Sequence, residues 1–334
     1  MTINKNNSRF GLIADIGGTN ARFALIPLNA TSPKFIQHEK TLSCADHPSL
    51  VVAIQAYYAM VGVGSDDVED STIAVAGPVD GDWFEMTNNP WAFSIRAVQQ
   101  ELTFKHFSVI NDFAAVAWCV GSVDADDYVA IGAGTPLPNT PIAVIGPGTG
   151  LGVGGLVPFS GGFIPLATEG GHSTFAPTNE LELEIVHRLQ KKYVRVSSER
   201  LLSGPGIVDL YQAIADIEGK KVTSLSAAEI TKAAVSASDT LCVTTFSHFC
   251  AILGSVAGDL ALIMGAKGGV YIGGGIVPRY IDFLKESPFR KRFEAKGRFS
   301  AYNAAIPTRV LTAAQPGLFG SAAHLLAHAD KLAG

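Results

Sequence analysis

The sequence predicts an α/β fold in two domains, on the basis of three observations. Short apolar strands that end in turn residues alternate with segments of helical spacing, a pattern typical of α/β folds. The chain has 334 residues, whereas domains usually have roughly 100–200. Residues 12–26 and 143–157 share one plan: an apolar strand, a glycine-rich turn with a threonine, and a second strand. This likeness indicates a structural repeat rather than a sequence duplication.

Each half is predicted to begin with a strand hairpin. In the first half we expect strands at 10–15, 22–27, 71–76 and 107–110, and helices at 48–61, 94–102 and 113–120. In the second half a hairpin at 142–157 precedes helices at 179–192, 205–217, 226–236 and 239–265, a strand at 269–272 and a last helix at 316–332. The glycine and proline residues that interrupt 141–168 exclude a membrane-spanning helix there.

Composition and charge restrict the class of protein. The net charge of −5 argues against a nucleic-acid binder, which would carry a basic surface. The polar amino terminus has no apolar core of a signal peptide. Four cysteines lack the spacing of a zinc site and are expected to be buried in a reducing compartment: Cys44, Cys119, Cys242 and Cys250. We therefore expect a cytoplasmic protein that binds neither nucleic acid nor membrane.

Three glycine-rich turns follow predicted strands, at 17–20, 146–150 and 273–275. A single such turn needs no more explanation than the positive φ that glycine allows. Two of these turns, however, also carry a threonine beside backbone N–H groups, as a phosphate site requires, so the set favours a nucleotide. Residues 150–155 match G-x-G-x-x-G, but the Leu156–Gly162 segment cannot begin a helix, which excludes a dinucleotide fold. A Walker P-loop is also excluded, because no G-K-[ST] follows.

Two aspartates end predicted strands. Asp15 directly precedes the first turn, where its carboxylate can hold Mg²⁺ or the water shell of that ion. Asp112 has two interpretations: the N-cap of the helix at 113–120, or a general base at the sheet edge where ligands of α/β folds bind. His172 differs from the other histidines because it lies in a glycine-flanked loop, three residues after Glu169.

Blocks along nearly the whole chain resemble the bacterial ATP-dependent glucokinases, the hexokinase-like group without zinc in the actin/sugar-kinase fold. The resemblance rests on the order and spacing of many blocks rather than on one motif. They are Asp15–Arg22, Met86–Asn89 with Trp91–Ile95, Ile110–Phe113, Gly148–Gly152, Glu169–His172, Ser198–Arg200 with Leu202–Gly206, Gly273–Arg279, and Pro316–Gly317 with Gly320–Ser321. The Cys/His cluster of the related zinc-binding repressors and kinases is absent from this sequence.

The resemblance implies phosphoryl transfer from ATP to the 6-hydroxyl of D-glucose, with Asp112 as the base. It implies that Asn111, Asp112, Glu169, His172 and Glu199 bind the sugar. The implied nucleotide residues are Ala14, Asp15, Ile16, Gly17, Gly18, Thr19, Gly148, Thr149, Gly150, Gly273, Gly274 and Gly275. Asp15 is the implied ligand of Mg²⁺, either directly or through water.

The resemblance also implies an actin-like, ribonuclease H-like pair of domains with a cleft between them, and a homodimer. The small domain is expected to comprise 1–112 plus about 313–334, and the large domain 113–312. Two alternatives stay open from the sequence: a kinase for another hexose, and a catalytically silent sugar-binding regulator on the same fold.

Overall fold

A computed structural model describes residues 9–86, 89–160 and 162–332. They fall into two compact units. Unit 1 runs up to Val123 and includes the segment from Ala313 onward, and unit 2 comprises Asp124–Thr312. Each unit has its own apolar core around a mixed β-sheet.

Unit 1 contains a five-stranded sheet and a small hairpin. Its strands are β1 (Phe10–Ile16), β2 (Asn20–Pro27), β3 (Gln37–Ser43), β4 (Val68–Val75), β5 (Trp83–Glu85), β6 (Ala92–Ser94) and β7 (His106–Asn111), and its helices are α1 (Leu50–Val61), α2 (Ile95–Glu101), α3 (Asp112–Val120) and α11 (Pro316–Leu332). The sheet has the order β3-β2-β1-β4-β7. Strands β5 and β6 pair separately.

Unit 2 contains a six-stranded sheet. Its strands are β8 (Tyr128–Ile131), β9 (Ile142–Pro147), β10 (Leu151–Phe159), β11 (Gly162–Thr168), β12 (Gly269–Ile272) and β13 (Thr308–Leu311). Its helices are α4 (Glu180–Leu189), α5 (Gly204–Ile217), α6 (Ala227–Val235), α7 (Thr240–Met264), α8 (Ile281–Glu286), α9 (Phe289–Glu294) and α10 (Ser300–Ala304). The sheet has the order β11-β10-β9-β12-β13-β8.

The two sheets have the same topology. In unit 1, β1 pairs with β2, and β2 with β3, as antiparallel neighbours, while β4 and β7 add in parallel on the other side of β1. In unit 2, β9, β10, β11, β12 and β13 repeat this arrangement, and β8 adds antiparallel at the end. The predicted structural repeat and α/β class are therefore confirmed, and the duplicated plan is that of the actin-like, ribonuclease H-like fold.

Strand β10 settles the interpretation of the G-x-G-x-x-G match. Residues 151–159 form a strand that pairs on both sides, with β9 and with β11, rather than the first turns of a helix. Gly155 lies in close packing instead of facing a phosphate, because a Cβ there would lie 2.6 Å from the carbonyl oxygen of Ile142. The exclusion of a dinucleotide fold is thus supported by the backbone geometry.

Helix α7 is long and apolar enough to cross a membrane by composition alone. In unit 2, however, Phe249, Ile252 and Leu253 are fully buried in the core. A Cβ on Gly254 would lie 2.1 Å from the carbonyl oxygen of Phe289, so the glycine permits close contact between α7 and α9. This helix is therefore a core element of unit 2.

The division between the units lies at Val123 and not at the predicted Asp112. The difference arises from α3, which packs against α11 within unit 1. Their approach is very close at Gly320, where a Cβ would lie 1.7 Å from the carbonyl oxygen of Ala115. Because α3 follows β7 directly and covers this part of unit 1, it cannot belong to the core of unit 2.

Candidate active site

The first predicted phosphate turn joins β1 to β2 in unit 1. The Gly17 N–H donates to the carbonyl oxygen of Asn20 at 2.9 Å, and the Cys44 N–H donates to that of Thr19 at 2.9 Å. Thr19 is exposed, as a phosphate contact requires. Ala14 and Ile16, in contrast, are buried in the core and can offer a nucleotide only their backbone.

Asp15 lies at the carboxyl end of β1, beside this turn. One carboxylate oxygen is 3.5 Å from the Arg22 guanidinium, and the side chain is 23% exposed. Gly317 of α11 lies directly against the carboxylate, since a Cβ there would be 2.8 Å from Asp15 Cγ. Burial raises the pKa of Asp15 and the Arg22 charge opposes that shift. A further positive charge would therefore stabilise the ionised carboxylate, which fits a role in holding Mg²⁺.

Asn111 and Asp112 lie where β7 passes into α3. The N-cap is Asn111, whose Oδ1 accepts from the N–H groups of Phe113 at 2.9 Å and Ala114 at 3.1 Å. The interpretation of Asp112 as the N-cap is therefore wrong by one residue, although its Oδ1 does accept from Phe113 N–H at 2.8 Å. Because Asn111 caps the helix, Asp112 begins it as a half-buried carboxylate at the carboxyl end of the sheet.

Glu169, His172 and Glu199 come together in unit 2. His172 Nε2 is 3.8 Å from Glu169 Oε2, and His172 Nδ1 is 3.7 Å from Glu199 Oε1. The imidazole thus lies between two carboxylates, all three being placed by short turns rather than by regular elements. The side chains of Glu169 and His172 are more than half exposed, whereas Glu199 is only 26% exposed. This acceptor-rich cluster suits a ligand with several hydroxyl groups.

The other two predicted phosphate turns also meet in unit 2. A Cβ on Gly148 would lie 3.7 Å from Gly275 N, and one on Gly274 would lie 2.3 Å from the carbonyl oxygen of Pro147. Gly274 adopts a φ of +81°, which L side chains rarely adopt. Gly273 N–H donates to the carbonyl oxygen of Ile145 at 2.8 Å, so its amide belongs to the sheet. The exposed parts of this pair of turns are Thr149, Gly274 and Gly275.

A cavity of about 370 Å³ opens beside these two turns. Besides Gly148, Thr149 and Gly275, its lining includes Pro205, Ile276 and Arg279, which belong to blocks of the family resemblance. Other lining side chains belong to no block: Ile207, Ala227, Ala228, Thr231 and Tyr280. Thr231 Oγ1 and Tyr280 Oη are 3.0 Å apart and hydrogen-bonded. Apolar walls with a few hydroxyl groups and one cation suit a nucleoside beside a phosphate turn.

Several expectations concern metals and sulfur. Among the described residues, no group of three or more His, Cys, Asp and Glu side chains could hold a metal ion. All four cysteines lie in the described part of the chain, where each is an unbridged thiol and, as predicted, buried. Of the motif at 86–91, Thr87 and Asn88 lie outside the described residues. Trp91 is buried and donates from Nε1 to the carbonyl oxygen of His47 at 2.8 Å.

Comparison with known proteins shows the family of the chain. A family model described as glucokinase matches residues 12–328. The glucokinase of Campylobacter jejuni subsp. doylei is 45% identical over 330 residues, which cover 98% of each chain. That of Chromobacterium violaceum is 46% identical over 317 residues, covering 95% of this chain and 89% of the relative. The crystal structure of a glucokinase from an Antarctic psychrotroph is 40% identical, with a TM-score of 0.87 and coverage of 95% and 98%.

The fold also resembles that of more distant proteins. A ROK family glucokinase from Streptomyces griseus, solved with glucose and AMPPNP, has a TM-score of 0.59 at 22% identity, covering 94% of this chain and 98% of that one. The duplicated fold and these relatives define the class, an ATP-dependent sugar kinase of the actin-like fold. Within that class the chain belongs to the glucokinase family, and it is an ATP-dependent hexose kinase.

Proposed function

We propose that the chain transfers the γ-phosphoryl group of ATP to the 6-hydroxyl of D-glucose, with Asp112 as the general base. The observation that carries this proposal is the position of Asp112: it is the first residue of α3, at the carboxyl end of β7, with Asn111 supplying the cap. In an α/β sheet this edge is where ligands bind. Its Oδ1 accepts from the Phe113 N–H at 2.8 Å, and a carboxylate at this edge can accept the proton of a substrate hydroxyl.

In the proposed reaction, Asp112 accepts the proton of the 6-hydroxyl while the hydroxyl oxygen attacks the γ-phosphorus. The bond from that phosphorus to the β–γ bridging oxygen breaks, which gives ADP and glucose 6-phosphate. Glu169, His172 and Glu199 would hold the other hydroxyls. Asn111 has fewer hydrogen-bonding positions for a sugar than the resemblance implies, because Oδ1 caps α3 and Nδ2 donates to the carbonyl oxygen of Gly77 at 3.0 Å. Its remaining N–H is the group left for a sugar.

For the nucleotide, we propose that the adenosine occupies the cavity beside Gly148 and Gly275, and that backbone N–H groups of the turns contact the phosphates. Gly18 and Thr19 would contribute their N–H groups from unit 1, whereas the Gly17 N–H already donates to the carbonyl oxygen of Asn20 within the turn. Asp15 would hold Mg²⁺, directly or through water, because its carboxylate lies at the carboxyl end of β1 beside the first turn, and only one cation, Arg22, is within 4 Å among the described residues. Bound Mg²⁺ would neutralise charge on the transferring phosphoryl group.

The base assignment is tested by Asp112→Asn. Asparagine keeps the size but cannot accept the proton, so kcat should fall by about 10²–10⁴-fold with glucose binding retained. The melting temperature should change little, because the cap is Asn111. As the matched control, Asn111→Ala should instead lower the stability by about 1 kcal/mol. An Asp112→Asn enzyme with nearly wild-type turnover would show that Asp112 is not the base.

Selectivity among hexoses follows from the same cluster. A site built from carboxylates and an imidazole rejects a sugar that leaves one of them unpaired. We propose glucose as the preferred substrate, on the strength of the glucokinase relatives. Measuring kcat/KM for glucose, mannose and glucosamine with ATP distinguishes this from preference for another hexose.

We also propose that the chain acts as a cytoplasmic homodimer. The buried, unbridged cysteines support a reducing compartment. Exposed apolar side chains on unit 2 support a protein interface: Ile164 and Leu166 on β11 are 50% and 37% exposed, and Ile263 on α7 is 82% exposed. Light scattering of the wild type and of Ile263→Lys tests the dimer.

A further inference from the structure

The backbone of Leu151 lies between the second phosphate turn and the proposed sugar cluster. Leu151 is the first residue of β10, directly after the turn at 148–150. Its N–H donates to Glu199 Oε2 at 2.9 Å. Its carbonyl oxygen lies against Gly171, where a Cβ would be only 2.1 Å away. The backbone of this one residue is therefore in contact with both loops that carry the proposed sugar ligands.

Glu199 uses its two oxygens on different partners. Oε2 binds the Leu151 N–H and lies against Gly150, where a Cβ would be 2.6 Å away. Oε1 faces His172 Nδ1 at 3.7 Å. Glu169 faces the other nitrogen of the same imidazole at 3.8 Å, but it is 65% exposed. Both carboxylates therefore face the His172 ring, but the carboxylate of Glu199 also accepts from the N–H of the residue that directly follows the phosphate turn.

We propose that Glu199 is a positioning residue for the nucleotide turn as well as a sugar ligand, so that sugar and nucleotide affinities are coupled within unit 2. The proposal rests on the proposed function, in which Glu199 binds glucose. A sugar hydroxyl that binds Oε1 fixes the carboxylate, and the fixed Oε2 then holds the Leu151 N–H and the turn that precedes it. A ligand shifts such an equilibrium only by its differential affinity for the two arrangements.

Coupling between two sites is reciprocal, so each ligand must increase the affinity for the other by the same factor. Calorimetry of the full-length wild type should show that saturating glucose tightens AMPPNP binding by at least about fivefold, and that AMPPNP tightens glucose equally. Glu199→Ala should weaken glucose binding and bring the factor close to one. Glu199→Gln keeps an acceptor for the Leu151 N–H and should retain part of the coupling between the two ligands.

Glu169→Ala is the matched control, because it removes the other carboxylate beside His172. It should weaken glucose binding but leave the coupling factor unchanged. Hydrogen exchange of the Leu151 amide gives a second measure that needs no ligand: the amide should exchange faster in Glu199→Ala and at the wild-type rate in Glu169→Ala. These two measurements separate loss of a sugar contact from loss of the link to the turn.

Two results would overturn the proposal. One is a coupling factor in Glu199→Ala equal to that of the wild type, and the other is an equal loss of coupling in both alanine variants. Failure of the proposed function has a different signature, namely that the wild type binds AMPPNP but does not phosphorylate glucose. Turnover and coupling are measured separately, so each conclusion can fail without the other.

Discussion

His324 on α11 makes unit 1 sensitive to acid. Its ring is 8% exposed and stacks on His328 with centroids 4.1 Å apart, and Trp118 of α3 meets it edge-on at 5.5 Å. Nδ1 lies 3.1 Å from Thr72 Oγ1 on β4. Burial, with a smaller contribution from the His328 charge, lowers the pKa of His324 to about 3. In the folded protein this histidine therefore stays neutral at pH values where an unfolded chain would protonate it.

The sign and size of the effect follow from linkage. An unfolded histidine has a pKa of about 6.5, so between that value and about 3 the unfolded chain binds one more proton than the folded chain. The free energy of unfolding therefore falls as the pH is lowered through this window, by about 1.4 kcal/mol per pH unit well below 6.5. At pH 5 the loss from His324 alone is about 2 kcal/mol.

Urea unfolding from pH 5 to 8, followed by tryptophan fluorescence, measures this slope. His324→Asn removes the titrating group. The dependence of the free energy of unfolding on pH between 5 and 6.5 should therefore be weaker than in the wild type, by the contribution of about one bound proton. If the His324→Asn and wild-type slopes agree, the ring is protonated in the fold and the argument from burial fails.

Three further predictions concern the contacts of α11, Asp15 and the nucleotide cavity. Gly320→Ala should lower the free energy of unfolding by about 1–3 kcal/mol, because its Cβ would meet the Ala115 carbonyl, whereas Gly64→Ala, with its nearest atom 3.7 Å away, should not. Asp15→Ala should raise the Mg²⁺ concentration that gives half-maximal turnover. In the wild type this concentration should also rise as the pH falls, beginning above the usual pH range of carboxyl titration, because the pKa of Asp15 is raised. Tyr280→Phe should weaken AMPPNP binding by about 2–10-fold in calorimetry through the lost hydroxyl, and an unchanged affinity would place the nucleoside elsewhere.

The elements that the sequence predicted are those with a strong local pattern. Both hairpins and the helices α1, α5 and α7 have apolar spacing and clear ends; α1, for example, begins after Ser49, which caps Val52 N–H, and ends at Gly62 with φ +74°. Strand β3 was missed because it is an edge strand with mostly polar, exposed residues, which resemble a loop. Strand β11 was missed because it contains Pro165, which an edge strand tolerates since one side of its backbone needs no partner.

Candidate site residues that follow a strand can be recognised in the sequence, whereas those that lie on helices cannot. Asp15 lies at the carboxyl end of β1 and Asp112 follows β7, and a carboxylate at such a point is visible in the sequence. Thr231 and Tyr280 are far apart in the chain and belong to no motif, yet they meet beside the nucleotide turns. Only tertiary packing brings them together. The cap at Asn111 was misplaced by one residue because asparagine and aspartate cap helices about equally well.

Glycine clustering was the first indication of a nucleotide site, but the structure shows that it has two separate causes. Gly275 is open, with no atom within 4 Å of the position that a Cβ would take, so its small size keeps a surface accessible to a ligand. At Gly171 and Gly254 only glycine fits, because a Cβ at either residue would lie 2.1 Å from a backbone carbonyl oxygen. Gly150 combines the two, since it lies in a phosphate turn and a Cβ there would lie 2.6 Å from the Glu199 carboxylate. Close packing at that turn is therefore part of the site itself, because the space that glycine leaves is the space in which Glu199 reaches the Leu151 amide.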